Sequence, residues 1–414
     1  MAWTLEISHL DVVSPGDATL IVARESTAGI VRSLLIDGGR ANRAESIDRY
    51  LENQGVASLN VMVVTHYDSD HFNGIQALLT KSTTRYDNTI IFDPGEPGDL
   101  QVKTMRLSGG GKGYNITKSN QESDYLRYVA AVARRGARQR LTAQVAPFYF
   151  DETAPSGVEQ EGLVAQGWHA CTWLLNQELL WQGVSPIPAG APRVKCIAVN
   201  QYVLKNDTGD FLYAATSGLS ADRNKNQRSI GVKVTLNNFK YYAGGDLETT
   251  QEDALQAYLN PANNLAGRVA AMKTSHHGSE YSTSDAFLAR LKPRLAFVSC
   301  GTGNSYGHPT QRVINSLEAS DRLQAYYLTG EDIRTTSPVI GASGEVAGVW
   351  PLGRILLEEG DIFLTVTEAG SQENPLQMGV AYQQPKAGTN RKKNTGFAYT
   401  PYALQNIAHY ASLG

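Results

Sequence analysis

The amino-acid sequence predicts an α/β protein in which two αβ layers meet at a shared core. Two observations predict this fold class. Each half of the chain begins with strand-like segments and continues with strand–helix units, and no repeat of fixed period interrupts that order. The chain has 414 residues, of which 42% are hydrophobic, so it can form a large buried core. This composition excludes disorder of the chain as a whole.

The first half of the chain alternates predicted strands with helices. The strands span residues 4–13, 18–23, 33–36 and 59–64, and the helices span residues 45–53 and 73–79. Turn residues join the first two strands, and Asp37-Gly38-Gly39 follows the third. The fourth strand is a continuous apolar run, and ionisable residues follow its carboxyl end. Proteins with α/β architecture commonly place their functional sites at such an edge.

The middle of the chain differs in composition from both halves. Residues 93–120 are rich in Gly, Pro, Ser, Asn and Lys and predict a loop, residues 121–142 predict a helix, and residues 143–192 predict irregular structure. Between residues 101 and 140, nine Lys and Arg stand against two Asp and Glu, a local charge of +7. Two interpretations remain open, a solvated helix face or a surface that follows a phosphate backbone.

The second half of the chain returns to regular structure. Strands are predicted at 194–204, 211–216, 229–236, 239–244, 268–274, 294–300 and 324–328, helices at 284–291 and 310–319, and a β-rich region at 345–366. The tail from residue 370 is rich in Gln, Asn and Gly, which predicts a mobile arm or a strand-poor segment over the body. This tail is a possible contact point for a protein partner.

Charge, cysteines and hydropathy bound the setting in which the protein works. The chain carries 37 Lys and Arg against 40 Asp and Glu, so its net charge of −3 excludes a global basic field for nucleic acid. Cys171, Cys196 and Cys300 show no paired spacing and fit a reducing compartment. The first residues lack the features of a signal peptide, and no apolar stretch is long enough to span a membrane. A cytoplasmic protein is therefore expected.

The most specific pattern is a heptapeptide directly after the fourth strand, Thr65-His66-Tyr67-Asp68-Ser69-Asp70-His71. If strand geometry persists, His66 and Asp68 share one side, whereas Asp70 and His71 emerge from the following turn. Four ionisable groups at the end of a buried strand would repel and desolvate one another unless a cation neutralised them. The pattern therefore predicts a metal site whose ligands can be divided between two ions.

Three further motifs carry candidate site residues. Asp246 follows an apolar strand in a Gly-Gly-Asp sequence and is a candidate carboxylate bridge between two ions. His276 and His277 lie in a Ser-His-His-Gly-Ser sequence, and because adjacent side chains point in different directions, we expect at most one of them to bind the same ion. The other histidine would face the substrate or support the ligands. His308 precedes Pro309 at the start of a helix.

The order of these motifs, HxDxDH, then GD, then HHGS and then YGHP, resembles the metallo-β-lactamase fold. It is more narrowly similar to the hydrolase domain of the bacterial DNA-uptake protein ComEC and its free-standing soluble relatives. The turns at 10–18 and 36–39 and the segment 226–229 also fit that family. The resemblance covers residues 4–92 and 194–330. It implies a four-layer αββα sandwich with two metals at one edge, between the sheets.

The resemblance implies a division of the chain into three parts. Residues 1–95 and 193–340 would form the metallo-β-lactamase-like catalytic domain. Residues 96–192 would be an insertion that carries the basic helix and the tryptophans, and residues 341–414 would be a β-rich extension with a tail.

Six residues are implied as metal ligands. His66 and Asp68 would hold one ion, Asp70, His71 and His276 the other, and Asp246 would bridge the two. His276 is preferred because the ligand in this fold usually stands two residues before the glycine. The first position has no evident third histidine, and His169 is a candidate without a motif. The fold's commonest signature has histidine at position 68, but ComEC-like members share this aspartate, which favours Mn²⁺ over Zn²⁺. One or two Zn or Mn ions per chain are therefore expected.

The implied reaction is hydrolysis by a metal-activated water. Asp68 or Asp70 would orient the water, and His277 and His308, with Ser279, would contact a phosphate oxygen or protonate a leaving group. Three arginines of the basic segment are the candidate substrate-binding residues: Arg134, Arg135 and Arg138.

Three functions compete at this point. Phosphodiester hydrolysis of DNA, RNA or a nucleotide is the leading hypothesis, because of the resemblance and the basic segment. The alternative is a hydrolase of a small ester, lactone or amide, in which Trp168, Trp173 and Trp181 wall an apolar pocket. A third hypothesis is a non-catalytic, metal-stabilised interaction protein.

Overall fold

The computed structural model describes residues 2–12, 16–94, 124, 127, 128, 130–132, 135, 140–142, 174–216, 225–237, 239–259, 269–301, 306–323, 325–330, 355–357, 361–368 and 376–383. The strands of these residues are β1 (Trp3–His9), β2 (Thr19–Glu25), β3 (Ile30–Ile36), β4 (Val61–Val63), β5 (Ile90–Asp93), β6 (Arg140–Thr142), β7 (Arg193–Val199), β8 (Tyr202–Leu204), β9 (Phe211–Tyr213), β10 (Gly231–Leu236), β11 (Phe239–Ala243), β12 (Ala271–Lys273), β13 (Leu295–Val298), β14 (Ala325–Leu328), β15 (Ile355–Leu357), β16 (Asp361–Glu368) and β17 (Leu376–Gln383). The α-helices with defined bounds are α1 (Ala44–Asn53), α2 (Phe72–Leu79), α3 (Thr249–Leu259), α4 (Asp285–Leu291) and α5 (Gln311–Ala319).

The strands form two sheets. The first has the order β17-β16-β1-β2-β3-β4-β5-β6, antiparallel from β17 to β3 and parallel from β3 to β6. The second has the order β15-β14-β13-β12-β11-β10-β7-β8-β9, parallel from β15 to β11 and antiparallel from β11 to β9. In both sheets, therefore, the parallel strands present their carboxyl ends along one edge, where loops can converge.

Side-chain alternation places each sheet between the other sheet and a layer of helices. In β4, Val61 and Val63 belong to the hydrophobic cluster that includes the second sheet, whereas Met62 packs in the cluster with α1 and α2. In β11, the Tyr241 hydroxyl lies 3.3 Å from Nε2 of His9 in the first sheet, whereas the Tyr242 ring packs edge-to-face against Phe287 of α4. The chain is therefore a four-layer αββα sandwich, as predicted.

Parts of the chain outside the predicted catalytic domain complete the sheets. β6 extends the first sheet at β5, and β16 adds to its other side at β1, where Ile362, Leu364 and Val366 are fully buried. β17 pairs along β16, so a strand forms in the tail where none was predicted. The predicted helix at 121–142 ends earlier, because residues 140–142 form β6. The division into domains stays a prediction.

Candidate metal centre

Four strands end at the candidate site and deliver its residues. Asp37 follows β3, the motif from His66 to His71 follows β4, Asp246 follows β11, and the two adjacent histidines follow β12. The predicted residues from separate motifs therefore meet at the edge where the parallel strands end.

A close contact between two glycines fixes the start of α2 and with it His71. A Cβ on Gly74 would lie 1.7 Å from the carbonyl oxygen of Gly38, so neither α2 nor the turn after β3 has room for a side chain here. The Gly38 amide donates to the carbonyl oxygen of His71 at 2.8 Å, and the Gly74 amide donates to that of Gly39 at 2.7 Å. These bonds hold the backbone of His71 against the end of β3.

The two adjacent histidines have an unusual backbone. His276, His277 and Gly278 have φ angles of 49°, 54° and 76°, all in the left-handed region that non-glycine residues seldom adopt. Because the chain does not alternate here as a strand does, both imidazoles can reach the same carboxylate. The amide of Thr310 donates to the carbonyl oxygen of Gly278, which joins this turn to the loop that carries His308.

The rings of His71 and His277 face each other through their Nε2 atoms. His71 Nδ1 donates to Oδ2 of Asp37 at 2.8 Å, and His277 Nδ1 donates to the carbonyl oxygen of Ser299 at 2.9 Å. A neutral imidazole uses its only proton in such a bond, so both Nε2 atoms carry lone pairs. These Nε2 atoms lie 3.1 Å apart, a distance at which lone pairs repel. The pair therefore requires a cation, either a proton or a metal ion.

Asp246 lies at the centre of the four histidines. Its Oδ1 is 3.3 Å from Nε2 of His71, and its Oδ2 is 3.6, 3.7 and 3.8 Å from the Nε2 atoms of His66, His276 and His277. Burial alone would raise the pKa of Asp246, but the imidazoles, that of His71 first, hold it well below its usual range. Conversely, burial would lower the pKa of His71, but Asp246 and Asp37 raise it well above its usual value.

Asp68 and Asp70 lie on opposite sides of this centre. Oδ2 of Asp68 is 3.7 Å from Nε2 of His66, and its Oδ1 accepts from the Lys225 ammonium at 3.2 Å. Oδ2 of Asp70 is 3.7 Å from Nε2 of His277. Burial would raise the pKa of Asp68, but His66 and Lys225 hold it well below its usual range, so the group is a carboxylate near neutral pH.

The residues present fit a divalent metal. Nε2 of His66 and Oδ1 of Asp246 are buried in the site without a hydrogen-bond partner among the described residues. Candidate ligand atoms of four buried residues lie within 4.8 Å of one another: Asp17, His71, Asp246 and His277. Carboxylate oxygen and imidazole nitrogen together suit first-row ions such as Zn²⁺ or Mn²⁺. His277, rather than His276, lies next to His71, and the division of ligands between two ions stays a prediction.

Several residues for which no site role was predicted also lie at this centre. Asp37 accepts from the amide and hydroxyl of Thr65 as well as from His71. Lys273 pairs with Asp17 at 2.6 Å, with both side chains buried, and Oδ2 of Asp17 lies 3.9 Å from Nδ1 of His71. Asp17, Asp37 and Lys273 stand inside the motifs that carry the family resemblance, which was the available signal.

The remaining predicted site residues lie at differing distances from the centre. The ring of His308 is 5.3 Å from that of His276, and burial, with His277 and His276, lowers the pKa of His308 to about 3. Ser279 is buried, and its amide donates to the carbonyl oxygen of His276. Neither contact tests a catalytic or substrate-binding role.

Of the three predicted substrate-binding arginines, the structure describes Arg135. Arg135 donates to three carbonyl oxygens, those of Leu79, Lys81 and Thr83, and to Asp87, so its guanidinium holds its helical segment to the loop after α2. Arg134, Arg138 and His169 lie outside the described residues.

Of the three tryptophans predicted to wall a pocket, the structure describes Trp181. Trp168 and Trp173 lie outside the described residues, and so does Cys171, one of the three cysteines. Trp181 is buried in the core with its ring 5.7 Å from that of Trp3. Trp181 therefore packs between structural elements and does not wall a pocket.

Sequence comparison finds related segments in two curated proteins. The chain is 34% identical over 94 residues to ComE operon protein 3 of Bacillus subtilis (strain 168), and 34% identical over 94 residues to Competence protein ComA of Neisseria gonorrhoeae. The resemblance to ComEC-like proteins is confirmed. The matched segment is 23% of this chain and only 12% and 13% of the two relatives. No protein-family model matches the chain.

Solved structures of the metallo-β-lactamase fold are similar to the chain at low sequence identity. YhfI of Bacillus subtilis has 9% identity and a TM-score of 0.38, covering 87% of this chain and 99% of its own. Human tRNase Z, short form, has 12% identity and a TM-score of 0.32, and the match covers 87% of this chain and 97% of that protein.

None of the helices that the structure describes has the length and apolar character needed to span a bilayer.

Proposed function

We propose that this protein is a metal-dependent phosphodiesterase that cleaves DNA, RNA or a nucleotide. The observation that carries the proposal is the cluster of His71, His277 and Asp246, in which the Nε2 atoms of two imidazoles face each other beside a buried carboxylate. Such a cluster needs a cation, and its donors suit a divalent metal.

The ligand atoms divide into two groups that share Asp246. Asp70, His71 and His277 would hold one ion, and His66, Asp68 and His276 would hold another. When bound, a divalent ion would supply an activated water and neutralise the charge that develops on a phosphate.

The residues around the ligands have defined tasks in this proposal. Asp37 and the carbonyl group of Ser299 orient His71 and His277, so their Nε2 atoms point at the reaction site. His308 and Ser279, in the loops beside His276, would contact a phosphate oxygen. Asp70, whose Oδ2 lies 3.7 Å from His277, would orient the attacking water.

Two exposed tyrosines beside the site support a substrate with a nucleobase. Tyr281 follows the motif of the adjacent histidines and is 47% exposed, and Tyr306 stacks beside His308 and is 71% exposed. Exposed aromatic side chains are typical platforms on which unpaired bases stack. One of the two curated relatives is named Competence protein ComA, which agrees with a nucleic-acid substrate for this chain.

Cleavage assays with divalent metal test the proposal. Purified protein is incubated with Mn²⁺ or Zn²⁺ and single-stranded DNA, double-stranded DNA, RNA, a cyclic dinucleotide or a lactone. We expect cleavage of at least one phosphodiester, abolished by EDTA and by Asp246→Asn, and retained by Asp210→Asn, which removes an exposed carboxylate. If the protein cleaves no phosphodiester with either metal, the proposal is wrong, and cleavage of the lactone alone would favour the small-ester alternative.

A further inference from the structure

The segment from Lys225 to Ser229 contacts His66, Asp68 and His276, one of the two groups of predicted ligands. The Lys225 ammonium donates to Oδ1 of Asp68 at 3.2 Å, and Nδ2 of Asn226 lies 3.3 Å from Nε2 of His276. Ser229 Oγ lies 3.3 Å from Nδ1 of His66 and accepts from the amide of Asp246. This segment therefore covers the side of the site formed by His66, Asp68 and His276.

The residues that support the two groups of ligands bind different ligand atoms. In the group with His71 and His277, the supporting bonds engage Nδ1 and leave Nε2 available for an ion. In the other group, Asn226 contacts the same Nε2 of His276 that faces Asp246. Lys225 binds Oδ1 of Asp68, the carboxylate whose Oδ2 faces His66. Here Asn226 occupies a nitrogen that a metal would need, and Lys225 places a positive charge on the carboxylate of a predicted ligand.

The charge of Lys225 adds to this competition. An ammonium group at hydrogen-bond distance neutralises a carboxylate that a divalent ion would otherwise bind, and it repels a second cation placed nearby. The side chains of Lys225 and Asp68 are 24% and 23% exposed, so their interaction is only partly screened by solvent. Charge compensation at Asp68 is thus already provided by the chain itself.

We propose that Lys225 is a built-in counter-ion that competes with a divalent metal for Asp68. The protein then binds one ion tightly, at Asp70, His71, Asp246 and His277, and a second ion much more weakly, at the group that contains Asp68. This inference rests on the metal site of the proposed function, but it requires no particular substrate.

Calorimetric titration with Mn²⁺ tests the inference on EDTA-treated full-length protein. We expect Lys225→Met to tighten binding of the second ion about 10- to 100-fold, the range over which outer partners change metal affinity, and to leave the first ion unaffected. Lys225→Arg, which keeps the charge, is expected to bind the second ion as weakly as the wild type. The matched control is Lys81→Met, because Lys81 also pairs with carboxylates, those of Glu45 and Asp48, at 23% exposure.

Three results would contradict either the competition by Lys225 or the metal site on which it depends, and the titration distinguishes these two failures. Unchanged or weaker second-ion binding in Lys225→Met, with a cooperative unfolding transition in EDTA that shows the variant is folded, contradicts competition by Lys225. Two equally tight ions in the wild type contradict it as well, yet leave the metal site intact. Absence of any binding of Mn²⁺ or Zn²⁺ by the wild type refutes the metal site and the proposed function together.

Discussion

Asp37→Asn removes one negative charge behind His71 while it keeps the size of the side chain. Residue 37 has a φ angle of 55°, and asparagine adopts this left-handed conformation as readily as aspartate, so the backbone is not strained further. The carboxylate accepts three hydrogen bonds, from His71 Nδ1 at 2.8 Å, the Thr65 amide at 2.8 Å and the Thr65 hydroxyl at 2.7 Å. In Asp37→Asn, the side-chain NH₂ group would face one of these three donors, which would then lose its acceptor.

Two magnitudes follow from this geometry. Leaving one buried donor unpaired costs about 1 to 3 kcal/mol of folding free energy. Loss of the carboxylate behind a ligand histidine lowers metal affinity about 10- to 100-fold, which corresponds to about 1.4 to 2.7 kcal/mol. We therefore expect Asp37→Asn to remain folded but to bind its tighter ion at least about tenfold more weakly than the wild type.

Calorimetry with Mn²⁺ on EDTA-treated protein measures the affinity, and thermal unfolding measures the stability. Asp48→Asn is the control, because Asp48 on α1 accepts from the Tyr86 hydroxyl and pairs with Arg85 without contact to a histidine. We expect the control to bind Mn²⁺ as the wild type does. Unaltered Mn²⁺ affinity in a folded Asp37→Asn variant would refute the reasoning that Asp37 orients His71 for metal binding.

Three other perturbations test separate parts of the account. Gly74→Ala places a Cβ 1.7 Å from the Gly38 carbonyl oxygen, and we expect a loss of about 1 to 3 kcal/mol or more in unfolding free energy, measured by denaturant titration. Burial raises the pKa of Glu178 from 4.5 to about 7, so its contribution to stability is present below pH 4.5 and is lost as the pH rises through 7. The free energy of unfolding of Glu178→Gln should therefore exceed that of the wild type by up to about 3 kcal/mol as the pH rises from 5 to 8. Thermal unfolding at each pH measures this difference. Tyr306→Ala should raise the KM for a single-stranded oligonucleotide about 5- to 150-fold, whereas Phe211→Ala on β9 should leave it unchanged.

Each of these three expectations can fail clearly. A Gly74→Ala protein as stable as the wild type would show that the backbones separate without cost. A stability difference between Glu178→Gln and the wild type that does not vary with pH would show that the carboxyl does not titrate in this range. Equal KM values for Tyr306→Ala and Phe211→Ala would leave the base-stacking role without support.

The sequence predicted the layers well because apolar alternation is a local signal. β4 and α2 differ from their predicted bounds by two residues at most. α3 was missed because its apolar residues, Leu255, Tyr258 and Leu259, occupy only the second half of the helix, so no full amphipathic period is visible. β17 was missed although Leu376, Met378, Val380 and Tyr382 alternate with smaller or polar residues, because the Gln-, Asn- and Gly-rich tail around it indicated irregular structure.

The site was predictable in part for a similar reason. Histidines and aspartates after apolar strands indicate a metal site locally, and the structure gathers His66, His71 and Asp246 as expected. The roles of Asp37 and Lys225 were not predictable, since a single Asp before glycines also marks an ordinary turn and a single lysine is usually solvated. Those roles depend on contacts between segments distant in sequence.

Crystallography of Mn²⁺-soaked protein, with anomalous scattering to locate the ion, tests the metal centre most directly. We expect an anomalous peak that is coordinated by Nε2 of His71, Nε2 of His277 and the carboxylate of Asp246. The two Nε2 atoms are 3.1 Å apart, Oδ1 of Asp246 is 3.3 Å from that of His71, and Oδ2 is 3.8 Å from that of His277. A peak at that place establishes the cation that the two facing imidazoles require. Well-ordered side chains at these three residues with no peak among them would contradict the account.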